Sequence, residues 1–254
     1  MLNNIVIGRY YPIRSKIHNM NPMAKIISIM LFLILSFLSN DIVVNLIVAG
    51  YVLIIMGMSN VPFKIYFKNL YGLKILFIFI VVINLLSGMS WLSIAIMLIR
   101  TITLVLYTTI LTLTTTPTLI SLGLERLFKP LEKIKIPVSK MALSVSLALR
   151  FIPTILDQAN KVLKSQTSRG MDFKKSNIKV KIKSIINILI PMFVLSFKRA
   201  DTLADAMEVR LFNANRKRSN YRDIKWTFFD TFVVNMHLIS IITLILSEVL
   251  KWDI

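Results

Sequence analysis

Long apolar stretches separated by short polar turns dominate the pattern of this chain. The first pair is 26–40 and 42–58, and the second pair is 73–89 and 91–115. The turn within each pair has no lysine or arginine, and a fifth apolar stretch lies at 227–250. A helix of about 20 apolar residues crosses a bilayer, so the shorter stretches would recruit flanking residues. The pattern predicts an all-α integral membrane protein with about five transmembrane helices.

The composition of the 254-residue chain agrees with a membrane location. Hydrophobic residues make up 56% of the chain and charged residues 17%, whereas soluble domains average about 45–50% and about 25%. The chain has no cysteine, which excludes disulfides, thiolate metal sites and thiol nucleophiles. Its two histidines, His18 and His237, lie far apart in sequence and suggest no metal pair.

The distribution of basic residues predicts the orientation. The net charge is +19, which on a soluble protein would favour a nucleic-acid partner; cytoplasmic loops of membrane proteins collect Lys and Arg instead, so we expect no nucleic acid. Residues 116–225 hold 22 of the 31 basic residues. We therefore expect four spans in 1–115, a cytoplasmic domain in 116–225 and a last span in 226–254, with the N-terminus inside and the C-terminus outside.

Two charged residues, Arg100 and Asp230, fall inside predicted spans. A charge at the bilayer centre costs roughly 2.5–3.5 kcal/mol, so each should face a helix interior or reach the interface. We interpret both as structural polar contacts. The first 25 residues lack the apolar core of a cleavable signal peptide.

The cytoplasmic region carries too many charges for further ordinary spans. Its run Ser184–Phe197 is uncharged over 14 residues but covers only about 21 Å as a helix, which favours a buried or interfacial helix. Apolar stripes predict two long amphipathic helices, about 139–168 and about 184–211, with kinks at Pro153 and Pro191. A shorter helix at about 117–129 precedes them.

Each long helix ends in a short motif built around an arginine. The first motif is Ser168-Arg169-Gly170 and the second is Val209-Arg210-Leu211. Gly170 is typical of a helix stop, and an arginine in a last turn complements the negative helix end, so one such arginine alone would be an ordinary helix end. The repetition favours two basic binding tips.

Several segments together resemble the T component of energy-coupling factor (ECF) transporters. The resemblance covers nearly the whole chain, including an Arg-Ala-Asp and an Ala-Met-Glu signature before the second tip. The segments are Gly8–Lys25 (GRYYPIRSKIHNMNPMAK), Leu149–Pro153 (LRFIP), Gln166–Phe173 (QTSRGMDF) and Pro191–Phe212 (PMFVLSFKRADTLADAMEVRLF).

This resemblance implies a scaffold subunit of a bacterial vitamin or metal-ion importer in the cell membrane. Its two long coupling helices would cross in the cytoplasm and dock their tips on two ABC-type ATPases, while their apolar faces hold a substrate-binding membrane S component. The implied ATPase-binding residues are Ser168, Arg169, Gly170, Val209, Arg210 and Leu211, supported by Arg199, Asp201, Met207 and Glu208. The implied S-component contacts are Leu149, Ile152, Leu156, Leu189, Met192 and Leu195.

The resemblance also implies a subunit without a cofactor or catalytic residues of its own. None of the seven glycines begins a Gly-x-x-x-x-Gly-Lys phosphate loop, so ATP and Mg²⁺ would be bound by the partner ATPases. The second tip departs from the family pattern, because Val209 and Leu211 replace the two small neighbours of Arg210. We interpret this departure as an altered docking geometry, which would fit a different ATPase partner at that end.

Two other classes of protein remain as alternatives. Asp201 and Asp205 lie at i, i+4, with Glu208 three residues on, and such a cluster holds Mg²⁺ in enzymes that act on lipid or prenyl diphosphates. The neighbouring Lys198 and Arg199 favour a helix-surface charge network instead. A self-contained secondary transporter is the other alternative, but the chain lacks paired inverted repeats.

Overall fold

The computed structural model describes residues 10–39, 41–170, 178–213 and 224–252, and every regular element in this part of the chain is helical. The motif residues 8–9 and 171–173 lie outside the described residues. The helices are α1 (Pro22–Leu38), α2 (Ile42–Met58), α3 (Phe63–Gly72), α4 (Lys74–Leu86), α5 (Trp91–Thr114), α6 (Pro117–Phe128), a 3₁₀ helix (Lys129–Ile134), α7 (Val138–Ser168), α8 (Ile178–Val209) and α9 (Phe228–Trp252). They form two compact units: a larger unit with α1–α6 and α9, and a smaller unit with α7 and α8.

Three to four candidate membrane spans occur among the described residues. By length and composition α5, α7 and residues Phe228–Leu246 of α9 are each able to cross a membrane, and α3 with α4 forms a fourth candidate that bends by 53°. The hairpin helices α1 and α2 are apolar but have only 17 residues each, about 26 Å of helix. Helix α7 passes this test of length and composition, although its interrupting charges predict an amphipathic helix in the cytoplasm.

The core of the larger unit lies where α1, α2, α5 and α9 meet. Phe32 of α1 stacks on Tyr107 of α5 with ring centres 4.2 Å apart, and the buried His237 of α9 contacts both rings. His237 Nδ1 donates to the Val233 carbonyl at 2.7 Å, so Nε2 accepts from the Tyr107 hydroxyl at 3.2 Å. His237 therefore links α5 to α9 as a satisfied core residue.

Both charges predicted inside spans make structural polar contacts, which confirms their interpretation. The fully buried Asp230 accepts hydrogen bonds from the Thr227 backbone N–H at 2.7 Å and the Asn21 N–H at 2.9 Å. Asn21 in turn caps α1 by accepting from the Met23 N–H at 3.0 Å, so one carboxylate holds the starts of α1 and α9 together. Arg100 donates to the carbonyl of Ser39, the residue that ends α1.

Helix α6 packs against the start of α1 through a glycine. A Cβ on Gly123 would lie 2.9 Å from the carbonyl carbon of Pro22 and 2.9 Å from Ile26 Cδ1, closer than side chains normally approach. Thr116 caps α6 by accepting from the Leu119 N–H, and Arg126 donates to the Ile224 carbonyl at 2.8 Å. The observed helix matches the predicted 117–129 closely and belongs to the larger unit.

The smaller unit consists of α7 and α8, two helices of 31 and 32 residues. The observed α7 matches the predicted 139–168, whereas α8 begins at Ile178, six residues before the predicted start. These six residues, 178–183, include three lysines. Lysine favours a helix. Both helices continue through their internal prolines, Pro153 and Pro191.

Candidate functional site

The first arginine tip ends α7 with a glycine turn. Ser168 is the last helical residue, Arg169 is the C-cap, and Gly170 adopts a left-handed φ of +86°. The Gly170 N–H donates to the Thr167 carbonyl at 3.0 Å, which satisfies one of the carbonyls left open at a helix end. All three motif residues are exposed.

The second tip ends α8 with a leucine in the left-handed position. Leu211 has a φ of +55°. Its N–H donates to the Glu208 carbonyl at 2.9 Å, and the Phe212 N–H donates to the Met207 carbonyl at 3.0 Å. These two bonds define a Schellman motif, which usually has glycine where Leu211 stands.

The two arginines therefore occupy equivalent positions in the structure. Arg169 and Arg210 each lie between the last helical residue and a left-handed residue, and both are exposed. The described part of the two tips differs in the side chains beside the arginine, while a left-handed residue follows the arginine in both. A leucine in the left-handed region costs roughly 1–2 kcal/mol.

A polar contact joins α7 to α8 well away from the tips. Arg199 Nη1 donates to the Thr154 hydroxyl at 2.6 Å, and Arg199 Cζ lies 5.8 Å from the centre of the Phe151 ring, within the range of a cation–π interaction. Phe151 belongs to the LRFIP segment and Arg199 to the Arg-Ala-Asp signature, so two of the motifs meet here. No local sequence pattern indicates this pairing.

The tips extend far beyond this contact. Arg169 follows Thr154 by 15 residues and Arg210 follows Arg199 by 11 residues, which correspond to about 22 Å and about 16 Å of helix. Arg199 therefore lies at the junction of the two helices.

The N-terminal segment is hydrogen-bonded to the end of α5, where the Tyr11 N–H donates to the Leu113 carbonyl at 2.9 Å. His18 Nε2 donates to the Tyr11 carbonyl at 3.0 Å, so its Nδ1 accepts from the Ser15 hydroxyl at 2.7 Å. Burial lowers the pKa of His18, and the charge of Lys25 lowers it further, against the opposing effect of the Tyr11 carbonyl. Lys25 Nζ donates to the Thr114 carbonyl at 3.2 Å at the end of α5.

Comparison with known proteins decides the family. The family model CbiQ, described as "Cobalt transport protein", matches residues 14–221, a range that includes both tips and the Arg199–Thr154 contact. The chain belongs to the CbiQ family.

Full-length relatives agree with this assignment and confirm the resemblance to ECF T components. The chain is 36% identical to the energy-coupling factor transporter transmembrane protein EcfT of Bacillus subtilis, over 92% of this chain and 94% of the relative. It is 37% identical to EcfT of Staphylococcus aureus, over 97% of this chain and 98% of the relative. This CbiQ-family chain is therefore a membrane transport protein of the ECF type.

Residues expected to contact an S component differ in their exposure in this CbiQ-family chain. Leu149, Ile152, Leu156 and Met192 are half-buried within the smaller unit, whereas Leu189 and Leu195 are exposed. A more exposed set follows one side of α8 at spacings of three and four residues. This set, called the α8 stripe, is Ile182, Ile186, Ile190, Phe193 and Phe197, which are between 46% and 68% exposed.

The acidic residues behind the enzyme alternative lie near the end of α8. Asp201, Asp205 and Glu208 are all exposed. No group of three or more histidine or acidic side chains able to hold a metal ion occurs in residues 10–39, 41–170, 178–213 and 224–252.

Proposed function

We propose that this chain is the coupling subunit of an ECF-type importer. It transmits the ATP-driven motion of two ABC-type ATPases to a membrane S component that binds a vitamin or a metal ion. ATP and Mg²⁺ are bound by the ATPases, and this chain catalyses no reaction itself. The observation that carries the proposal is the equivalent placement of Arg169 and Arg210 at the exposed ends of two long helices that contact each other.

An arginine at such a tip is suited to an acidic groove. The guanidinium group stays charged and forms paired hydrogen bonds to a carboxylate, and the helix-end position projects it beyond the last turn. A docked arginine of this kind is worth about 2 kcal/mol or more of binding energy. The side chains next to each arginine, Ser168, Gly170, Val209 and Leu211, would line the same groove.

The helices α7 and α8 act as levers in this proposal. Each is an unbroken helix of more than 30 residues, so a displacement of its tip by an ATPase is carried along its length. The Arg199–Thr154 contact makes the two levers move as a pair. The α8 stripe supplies an apolar surface for the S component, in addition to Leu189 and Leu195.

The proposed topology uses the apolar helices of the larger unit in the bacterial cell membrane. The hairpin helices α1 and α2 cross together with the α3–α4 pair, α5 and α9, which gives about five crossings. The basic residues of 116–225 place that region in the cytoplasm with the N-terminus, and they leave the C-terminus outside.

Charge reversal at both tips tests the proposal. The doubly substituted chain, Arg169→Glu with Arg210→Glu, is co-expressed with the two ATPases and the S component from the same organism. We expect loss of ATPase co-purification and of substrate uptake, because a carboxylate at each tip repels an acidic groove.

A matched control reverses one exposed lysine on each helix, Lys164→Glu with Lys198→Glu, and should retain the ATPases and uptake. Normal ATPase binding and uptake by the doubly reversed tips would refute the proposed function.

A further inference from the structure

Both arginine tips end in a left-handed residue but present different surfaces. Around Arg169 the neighbours are a serine and a glycine, which add little bulk. Around Arg210 the neighbours are Val209 and Leu211, which are 84% and 91% exposed. The apolar side chain of Phe212 follows and is 37% exposed.

A leucine at position 211 does not stabilise the fold. The left-handed conformation strains a leucine and suits a glycine, and an exposed side chain gains nothing from burial. A glycine or an asparagine would hold the same Schellman turn at lower cost. Strain of this kind is typical of positions retained for function.

We infer that Val209 and Leu211 form an apolar collar around Arg210, and that this collar fits an ATPase groove in which an apolar recess surrounds a carboxylate. The inference rests on the proposed function of the tips. Apolar side chains that exclude water around a docked charge strengthen its pairing. The first tip has no such collar, so the two tips require different groove surfaces and are not interchangeable.

Substitution of Leu211 distinguishes the role of its apolar side chain in binding from the role of the left-handed turn in stability. In the full complex, Leu211→Gly should leave the thermal stability of the chain unchanged or raise it, because the left-handed strain is removed. The same substitution should weaken the ATPase docked at the second tip by roughly tenfold, because a buried leucine side chain is lost from the groove. Binding at the first tip should be unchanged.

Two further variants distinguish apolar contact from conformation. Leu211→Asn keeps a residue that tolerates the left-handed turn but removes the apolar surface, and it should bind as weakly as Leu211→Gly. Leu211→Met keeps apolar bulk and should bind within about twofold of the original chain, since such exchanges of similar volume are well tolerated.

If Leu211→Gly binds the ATPase as tightly as the original chain or more tightly, the collar is refuted. The proposed function still stands in that case if Arg210→Glu alone abolishes ATPase binding at the second tip. Normal binding by Arg210→Glu removes the proposed function itself. The dissociation rate of each ATPase from the detergent-solubilised complex measures the effect of the Leu211 and Arg210 substitutions in one experiment.

Discussion

Arg199 of α8 donates a 2.6 Å hydrogen bond to the hydroxyl of Thr154 on α7. The same guanidinium lies over the Phe151 ring. A charged group and an aromatic face therefore hold the two long helices together at one level.

Removing this junction should uncouple transport from ATPase binding. We expect Arg199→Ala to keep both ATPases attached, because the tips are intact, but to lower substrate uptake severalfold. A double-mutant cycle with Thr154→Val should give a coupling energy of about 1 kcal/mol, the usual size for an exposed hydrogen bond. Lys198→Ala, at the neighbouring exposed position, is the control, and an equal loss of uptake there would speak against a junction role for Arg199.

The α8 stripe should be needed for the S component and not for the ATPases. Replacing Phe193 and Phe197 by serine removes the two largest side chains of the stripe, and we expect the S component to be lost during purification while both ATPases remain. The matched control replaces Thr202 and Asp205, exposed on the same helix, by serine. Retention of the S component by the double phenylalanine variant would show that the stripe is not its binding surface.

A methyl group at Gly123 should destabilise the larger unit. In Gly123→Ala the new Cβ meets the backbone of Pro22, which has little room to move, so we expect a loss of about 1–3 kcal/mol, seen as a lower thermal unfolding temperature in detergent. Gly50→Ala is the control, because nothing lies within 4 Å of a Cβ there and alanine favours helix over glycine. Equal stability of the two variants would contradict the close packing of α6 on α1.

Acidification should weaken the N-terminal anchor through His18. Burial holds the folded-state pKa of His18 below its usual value of 6.5, so the unfolded chain binds a proton more readily than the folded one. The contribution to stability is complete above about pH 6.5 and is lost as the pH falls from there towards the folded pKa. Thermal unfolding at pH 7 and pH 5 measures this loss, which should be smaller in His18→Gln.

The sequence predicted the helices well because their apolar periodicity and caps are local properties. The bounds of α6 and α7 agree with prediction, and the equivalent placement of Arg169 and Arg210 follows from where each helix ends. The early start of α8 was missed because lysine alternates with apolar residues over 178–183, a spacing unlike the repeat of three to four residues that indicates a helix. The left-handed turn at Leu211 was missed because leucine rarely adopts it.

Contacts between helices were harder to predict than the helices themselves. The Arg199–Thr154 bond depends on how two helices are rotated about their axes, which no local pattern specifies. The rotation of each helix about its axis also determines which side chains are buried: Leu149 and Met192 are half-buried, whereas Phe193 and Phe197 are exposed.

The hydrogen bond from the Asn21 N–H to Asp230 spans 209 positions of the chain. During synthesis the ribosome releases α1 long before α9, so this buried donor at the start of α1 has no carboxylate to meet until nearly all the helices have emerged. A shortened product that lacks α9 would leave this buried N–H without its acceptor, at a cost of about 1–3 kcal/mol. Closure of the larger unit therefore waits for the last helix to be made.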